Sequence, residues 1–553
     1  MQSKKTANST YLFLLILFSL AFFIPFLGNA HLFDWDEINF AEISREMVIS
    51  KNYLRPQMNF QLFTEKPPFF FWLQSISMNI FGINEFSSRL PNAILGLLVL
   101  PLLFLIGKKL KNNLFGFIWA MAYACTILPH LYFKSGIIDP WFNFFILLSL
   151  YGLIEAKENK DDHLKSFKWI GLAGIMAGLA LLTKGPAAII IIGITGMVFL
   201  ITNAFRNFFS IPQLLLFTIV ASITAGLWLG IDFLQNGNQF IKEFTIRQWE
   251  LFTTKDAGHG GFFFYHFVVL FFGCFPVSAF FIHAMLKKDN EETPRFINFK
   301  KWMKILFWVV LILFSIVQTK IVHYSSLCYY PISFFAAISI YNLIENKWIL
   351  NKLTKTLILI SSLPFAIAPF VMVYLGRNKS LLTPLLSRDP FAVENIQANV
   401  SWSGWEILPG IVLILCLFLC FHFFSKQKIK SAIGILFFGS LFFIQSGLYF
   451  FINRIESISQ RANIEFWQQH AKEDCYKITY QYKSYSNYFY GETMPHRNNN
   501  YNNLDWLLKG KLDKPVYISC KINGKDAFEK EIKDAVFLYH KNGFYFYKRN
   551  PLP

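Results

Sequence analysis

Apolar runs broken by short charged connections set the rhythm of this chain. Runs of about 17 to 25 residues, long enough to carry a helix across a bilayer, lie near 10–29, 88–107, 114–132, 136–156, 169–183, 187–203, 211–231, 262–285, 304–319, 323–344, 355–376, 405–424 and 431–452. They predict a polytopic α-helical membrane protein with about 13 transmembrane helices. The first run, Tyr11 to Leu27, follows Lys4 and Lys5 and lacks a small-residue cleavage pattern, so it reads as a retained span. Pro67 to Gly82 is apolar but interrupted by Gln74, Ser75, Ser77 and Asn79, which suits an amphipathic helix lying at the interface. After 452 the pattern changes. KPVYISCKI and AVFLYHKNGFYFYKR alternate as strands do, the second turning at Asn542-Gly543. The expected organisation is a transmembrane unit, 1–452, followed by a small α/β domain, 453–553.

Charge orients this pattern. The sequence holds 52 Lys and Arg against 34 Asp and Glu, a formal net charge of +18. In a soluble chain that excess would suggest nucleic acid. Here 54% of residues are hydrophobic and 65 are Phe, so no nucleic-acid partner follows and the cations read as topology signals. Threading from a cytoplasmic N-terminus puts Lys108 to Lys111, Lys157 to Lys168, Arg206, Lys287 to Lys304, Glu345 to Lys355 and Lys426 to Lys430 on one side. The positive-inside rule makes that side cytoplasmic. The opposite, extracytoplasmic side receives 30–87, 132–136, 183–187, 232–261, 319–323, 377–404 and the tail. Five of the 7 cysteines fall in apolar runs and read as core. Cys475 and Cys520 lie in the tail, where an oxidising compartment would let them pair.

Candidate chemistry begins in the first outer loop. Asp34 to Trp72 gathers Asp34, Asp36, Glu37, Glu42, Arg45, Glu46, Glu65 and Lys66 between apolar segments. Charges beside a bilayer cost free energy unless paired, wet or useful. Asp34 as an N-cap with Glu37 reaching back would leave Asp36 in the first helical turn, facing a cavity. Alternatively Asp36 is itself the cap and the carboxylates solvate a surface helix. Further along the outer side come Lys134, Asp139 before Pro140, Lys184 in LLTKGP, Arg247, Lys255, His259, His266, and Lys320 with His323-Tyr324. Singly, each has a plain explanation: Lys184 snorkels, Asp139 caps a span, His323 sits at the interface. Their convergence on one side suits group transfer from an anionic lipid, with carboxylates deprotonating an acceptor hydroxyl and cations holding a departing phosphate. No Walker A loop, GxSxG elbow or HExxH is present. A lipid or sugar transporter would place its polar residues mid-membrane, and a scaffold would need no such convergence.

DWDEINFAEISREM, FTEKPPFFFW, IIDPWFNFF, GLALLTKGP, HGGFFFYHFVVLFFGCFP and QTKIVHYSSLCYYP resemble, in this order, the motifs of the bacterial polyprenyl-phosphate-sugar glycosyltransferases. That family includes aminoarabinose transferases that modify lipid A and relatives of the protein O-mannosyltransferases. The resemblance covers about residues 30–335. It implies a GT-C fold in the bacterial inner membrane and an active site on the periplasmic face. It also implies an inverting transfer without nucleotide from an undecaprenyl or similar polyprenyl phosphate to a lipid, glycan or protein acceptor. Asp36 matches the catalytic acidic position, Asp139 resembles the second acidic position, and Glu65 and Lys66 match the Glu-Lys-Pro motif. Lys184, Lys320 and His323 fall where the donor phosphate is expected; Arg247 and Tyr324 complete the candidate substrate-binding set. In relatives an outer-loop carboxylate and histidines can hold a divalent metal, which maps to Glu65 with His259 or His266. Three positions depart from the family pattern. Asn39 and Phe40 stand where aminoarabinose transferases carry Arg-Tyr, and Val322 stands where Pro is usual. The reaction class is therefore expected, and the sugar is left open.

Overall fold

The computed structural model describes residues 2–204, 209–253, 260–287 and 292–551. Its first part is a helical bundle: α1 (Gln2–Phe23), α2 (Asp36–Ser50), a two-residue-strand hairpin β1 (Gln57–Met58) and β2 (Gln61–Leu62), α3 (Phe69–Phe81), α4 (Glu85–Leu110), α5 (Asn113–Ala124), α6 (Ile127–Tyr132), α7 (Asp139–Glu158), α8 (His163–Lys184), α9 (Ala187–Thr202), α10 (Ile211–Asn236) and α11 (Gln239–Thr253). It continues with α12 (Tyr265–Gly273), α13 (Val277–Leu286), α14 (Pro294–Ile316), a 3-10 turn at Val322–Cys328, α15 (Tyr329–Ile344), α16 (Lys352–Arg377), the short α17 (Thr383–Leu386) and α18 (Pro390–Ile396), α19 (Leu408–Ser425) and α20 (Ile429–Ser459).

Helix covers most of each of the expected apolar runs, but the runs are not all equal spans. Among the described residues, 7 helices are long and apolar enough to cross a membrane, or 8 counting the pair α12 and α13, which bends by 112°. Ser9–Phe23, α5 and α9 are apolar but shorter. The run at 114–132 breaks at Cys125 and Thr126 into α5 and α6. The expected count of about 13 spans exceeds these 7 or 8 helices, and the runs at 114–132 and 187–203 hold shorter ones. Small residues let neighbouring helices close up: a Cβ on Gly116 would stand 2.3 Å from the Phe104 carbonyl of α4.

The bundle's two ends differ in charge chemistry. At one end Lys109 of α4 and Arg295 of α14 both meet the buried Glu155 of α7, the lysine at 2.8 Å. The other end carries Asp36, Asp139, Lys184 and His323. This division matches the threading from the sequence. α3 lies at the second end with Gln74, Ser75 and Ser77 buried while Ile76, Ile80 and Phe81 stay exposed. Its polar stripe faces protein and its apolar stripe faces outward, as an interfacial helix requires.

The tail holds α21 (Arg461–Gln469), β3 (Tyr476–Tyr480), α22 (Ser486–Phe489), α23 (Leu504–Lys509), β4 (Val516–Lys521), α24 (Ile522–Glu531), β5 (Ala535–Lys541) and β6 (Phe544–Arg549). The sheet order is β3-β4-β6-β5, with β3 and β4 parallel and the other pairs antiparallel. Asn542 and Gly543, both at positive φ (50° and 79°), make the tight turn expected between β5 and β6. The boundary expected at 452 falls inside one continuous helix, α20, which runs on into the tail. Nor does the tail close its core alone. Leu32, Ile38 and Ala41 join Trp467, Phe489, Tyr490 and Phe546 in one hydrophobic cluster. The suggested Cys475–Cys520 bridge does not form. Tyr480 lies opposite Cys520 and Tyr476 opposite Val516, so the two thiols are about five residues, roughly 16 Å, apart along neighbouring strands, beyond any disulfide's reach.

Candidate active site

The site is set by how α2 begins. Trp35, not Asp34, occupies the cap position, and no side chain caps the helix. Asp34 instead accepts hydrogen bonds from the Ser484 hydroxyl and, at 3.2 Å, from the Tyr485 N–H, while its own N–H donates to Gln460 Oε1 at 3.2 Å. Both sequence readings of the cap are thereby corrected: these acids hold other elements. Glu37 does turn back, to the Phe33 N–H at 3.1 Å, but it also accepts the Gly136 N–H at 2.6 Å. Arg89 of α4 grips the same carboxylate with Nε at 3.0 Å and Nη2 at 2.8 Å. The remaining guanidinium donors bond the carbonyls of Leu27 and Ala30, each at 2.8 Å, and of His31 at 3.0 Å. Every donor on this buried arginine is thus matched, the condition for keeping a charge out of water.

With Glu37 fixed, Asp36 faces the other way. Its Oδ2 stands 3.5 Å from His323 Nε2, and its side chain remains 43% exposed. His323 Nδ1 is hydrogen-bonded to the Tyr132 hydroxyl at 3.1 Å, which sets the ring's orientation. Burial pushes the Asp36 carboxyl up; the hydrogen bond and charge of His323, with Lys66 and Lys184 behind it, outweigh burial and hold it below the usual aspartate value. It is an anion at neutral pH.

Cations from three further elements surround it. Lys184, at the end of α8, reaches Asp139 at 2.5 Å and lies over the Tyr324 and Phe142 rings at 5.3 and 5.7 Å. Asp139 opens α7 and is buried, so it touches the site through Lys184. Glu65 pairs with Arg247 of α11 at 3.4 Å, and Gln248 Nε2 donates to the Glu65 carbonyl at 3.4 Å. Lys66 feels all of them. Burial lowers its ammonium below the ordinary lysine value; Glu65 and Asp36 pull it back up, and Lys184 and Arg247 press it further down. Half-buried cations set round an exposed anion suit a transient anionic ligand.

Two expected members stand elsewhere. The Lys320 ammonium donates to the Phe314, Ser315 and Val317 carbonyls at 3.0, 2.6 and 2.6 Å, closing the end of α14. His266 is buried, with Nδ1 3.1 Å from Ser325 Oγ. His259, the third expected metal ligand, lies outside the described residues. Among the described residues no group of three His, Cys, Asp or Glu side chains is placed to hold a metal. Glu65 faces Arg247 and His266 faces a serine. Sequence reasoning passed over Arg89, Tyr132 and Asp34's contact with the tail. Arg89 carried a signal, since an arginine opening an apolar run requires a buried partner. Of the departing Asn39-Phe40 pair, Phe40 packs on Phe70 and Phe71 in the core. Asn39 lies one turn from Asp36, and its buried Oδ1 has no hydrogen-bond partner.

Known proteins share this fold. The fold is the GT-C fold: it superposes with a TM-score of 0.75 on the crystal structure of ArnT from Cupriavidus metallidurans bound to undecaprenyl phosphate, at 16% identity, covering 98% of this chain and 100% of that one. The family profile described as dolichyl-phosphate-mannose-protein mannosyltransferase matches residues 65–228, a stretch that includes Glu65, Lys66, Asp139 and Lys184. The chain is 28% identical over 353 residues to the undecaprenyl phosphate-alpha-4-amino-4-deoxy-L-arabinose arabinosyl transferase of Wigglesworthia glossinidia brevipalpis, covering 62% of each. It is 34% identical over 174 residues, 31% of each chain, to a transferase of the same description from Pseudomonas fluorescens (strain Pf0-1). The match spans about three fifths, 62%, of the first relative's length. The resemblance to lipid-linked-sugar glycosyltransferases read from the motifs is borne out.

Proposed function

We propose that this chain is an integral-membrane glycosyltransferase that moves a sugar from a polyprenyl phosphate, such as undecaprenyl phosphate, to an acceptor hydroxyl on the extracytoplasmic side of the bacterial inner membrane. The carrying observation is the ionised, half-exposed Asp36 at 3.5 Å from His323, ringed by Lys66, Lys184 and Arg247. Asp36 takes the proton from the acceptor hydroxyl as its oxygen bonds the anomeric carbon. The bond from that carbon to the phosphate oxygen breaks, and polyprenyl phosphate departs with the electron pair. Attack from the face opposite the leaving group inverts the anomeric configuration. Lys66, Lys184 and Arg247 stabilise the charge gathering on the phosphate. His323 holds Asp36 in place and Asp139 holds Lys184.

For the donor's tail the reading favours a largely apolar groove of about 660 Å³ between α9 and α14, lined by Ile194, Val198, Trp308, Ile312 and Ile316, with Thr202, Lys301 and Lys304 also on its wall. α9 begins just past Lys184, and α14 ends six residues before Val322, the start of the His323 turn. A prenyl chain lying in the groove would bring its phosphate to the cations. The acceptor is a lipid A-type glycolipid, another glycan or a protein hydroxyl. To test the reading, purified protein in liposomes is incubated with polyprenyl-phosphate sugars and candidate acceptors, and products are followed by mass spectrometry. Sugar-bearing product that requires Asp36 is expected. Lipid moving between leaflets with its mass unchanged would replace the reading with transport.

A further inference from the structure

Away from Asp36, a second pocket lies where the β1–β2 hairpin meets the tail. Its volume is about 180 Å³, and Asn59, Lys477, Thr479, His496, Tyr501 and Asn502 are among its lining residues. That is below the roughly 300–1,000 Å³ of pockets for drug-sized ligands, and the right scale for one sugar ring. The hairpin tip is committed to this wall. Asn59 and Phe60 both take positive φ, 51° and 56°, and the Phe60 N–H is held by Glu46 Oε2 at 2.7 Å. Asn59 Nδ2 donates to Asn502 Oδ1, and the Tyr501 hydroxyl donates to the Asn59 carbonyl at 3.0 Å.

Two observations show that the pocket lacks something. Asn59 Oδ1 is buried without a hydrogen-bond partner. Lys477 is only 6% exposed, its ammonium meets the Cys475 thiol, and among the described residues no carboxylate stands within ion-pair reach of it, so an anion entering the pocket would meet a cation with no carboxylate partner. Aromatic faces complete the wall, with the His496 ring 4.6 Å from that of Tyr476 and 5.4 Å from that of Tyr501. Rings for the C–H face of a sugar, amides and a hydroxyl for its edge, and one cation define the ligand. A peptide adding to the free edge of β3 is disfavoured, because Asn487 Nδ2 already bonds the Lys477 carbonyl at 2.9 Å.

We infer that this pocket binds a sugar unit carrying a single anionic substituent, carboxylate or phosphate, as part of the acceptor glycan. Its relation to transfer rests on the function proposed above. Glu46, which anchors the hairpin, lies ten residues along α2 from Asp36, about 15 Å at the helical rise.

The full chain in nanodiscs is titrated with glucuronate, glucose 6-phosphate and glucose, and binding is read by saturation-transfer NMR. At least one anionic sugar is expected to bind ten-fold or more tighter than glucose, and the two anionic arms tell carboxylate from phosphate. Lys477→Met should weaken the anionic probes about ten-fold and leave glucose unchanged, while Lys477→Arg restores them. Asn502→Ala, at an exposed position, should weaken all three. Asp36→Asn should bind like the parent, which separates this site from turnover. Equal binding of glucose and both anions, or indifference to Lys477→Met in a protein that melts normally, overturns the inference even if sugar transfer is real. Binding as expected without transfer would instead remove only its link to an acceptor.

Discussion

Asp36 and Glu37 are neighbours on one helix turn, and they live in opposite electrostatic regimes. Glu37 accepts from two backbone N–H groups and two guanidinium nitrogens, and its side chain is 9% exposed. Asp36 has one loose contact at 3.5 Å and a side chain 43% exposed. A saturated carboxylate fixes geometry, because any displacement breaks several charge-assisted bonds at once. An unsaturated one keeps lone pairs for a substrate. The pair shows how a membrane-edge helix can be immobile and reactive within two residues: one acid locks α2 to α4 and to the Gly136 loop ahead of α7, and the lock aims the other.

The largest expected effect comes from neutralising the exposed member. Asp36→Asn should lower turnover by about 10²–10⁴, the usual worth of a general base, with melting and donor binding retained. Because the Asp36 carboxyl is held below its ordinary value of 3.8, its ionised form is present above that value and is lost only as pH falls through the lowered one. The acid limb of kcat/KM should therefore lie below the ordinary aspartate range. A limb near neutrality that vanishes in Asp36→Asn would show that the base is held differently. Normal turnover by the variant would remove Asp36 from the chemistry.

Breaking the saturated member should act on stability first. Glu37→Ala leaves Arg89 buried and uncompensated, a loss of about 3–5 kcal/mol. Burial raises the Glu37 carboxyl, and Arg89 with the two N–H donors more than reverses this, so it sits below its ordinary 4.5. The stabilisation it lends is present above that pH and is lost on acidification through the lowered value. Thermal melting of both chains from pH 7 to pH 3.5 checks this: the gap between them should narrow with acid. A constant gap would mean the pair contributes packing alone.

How much of this was legible beforehand depends on the range of the interaction. Which apolar runs are helical, the interfacial α3 and the Asn542-Gly543 turn follow from local pattern, and the sequence shows each of them. The clustering of Asp36, Glu65, Lys66, Lys184, Arg247 and His323 was legible from topology together with motif order. Its internal pairing was not, because pairing depends on helix rotation: Asp139 opens a helix as expected, yet it is buried against Lys184. Lys320 was misplaced for a similar reason. A lysine after a helix end can equally well turn back on that helix's carbonyls, and here it does. The hold of the tail on Asp34 spans 450 residues, and no local pattern encodes it.

Lys184 tests whether an ion pair at the site holds structure, chemistry or both. Lys184→Met should cut kcat/KM for the donor by about 10²-fold, the scale of one lost charge-stabilising donor, and should also destabilise the fold by leaving Asp139 buried and unpaired. Adding Asp139→Asn should recover the melting temperature but not the rate. If the double variant recovers both, Lys184 only neutralises Asp139, and the phosphate is met by Lys66 and Arg247 alone.

The smallest effect sharpens the comparison from its other flank, at Asp34. Burial raises this carboxyl to about 6 from 3.8, against the opposing pull of Ser484, Tyr485 and Lys521. With the folded pKa above the unfolded one, the fold favours the protonated form. The stability tied to Asp34 is therefore fullest below about pH 4 and declines as pH rises towards 6. Asp34→Asn, neutral at every pH, should match the parent's melting temperature near pH 4 and exceed it by a few degrees at pH 7. Turnover should fall only slightly, because Glu37 still fixes α2. A large loss of turnover with melting unchanged would instead mean that the Ser484–Asp34 contact, and through it the whole tail, takes part in aiming Asp36.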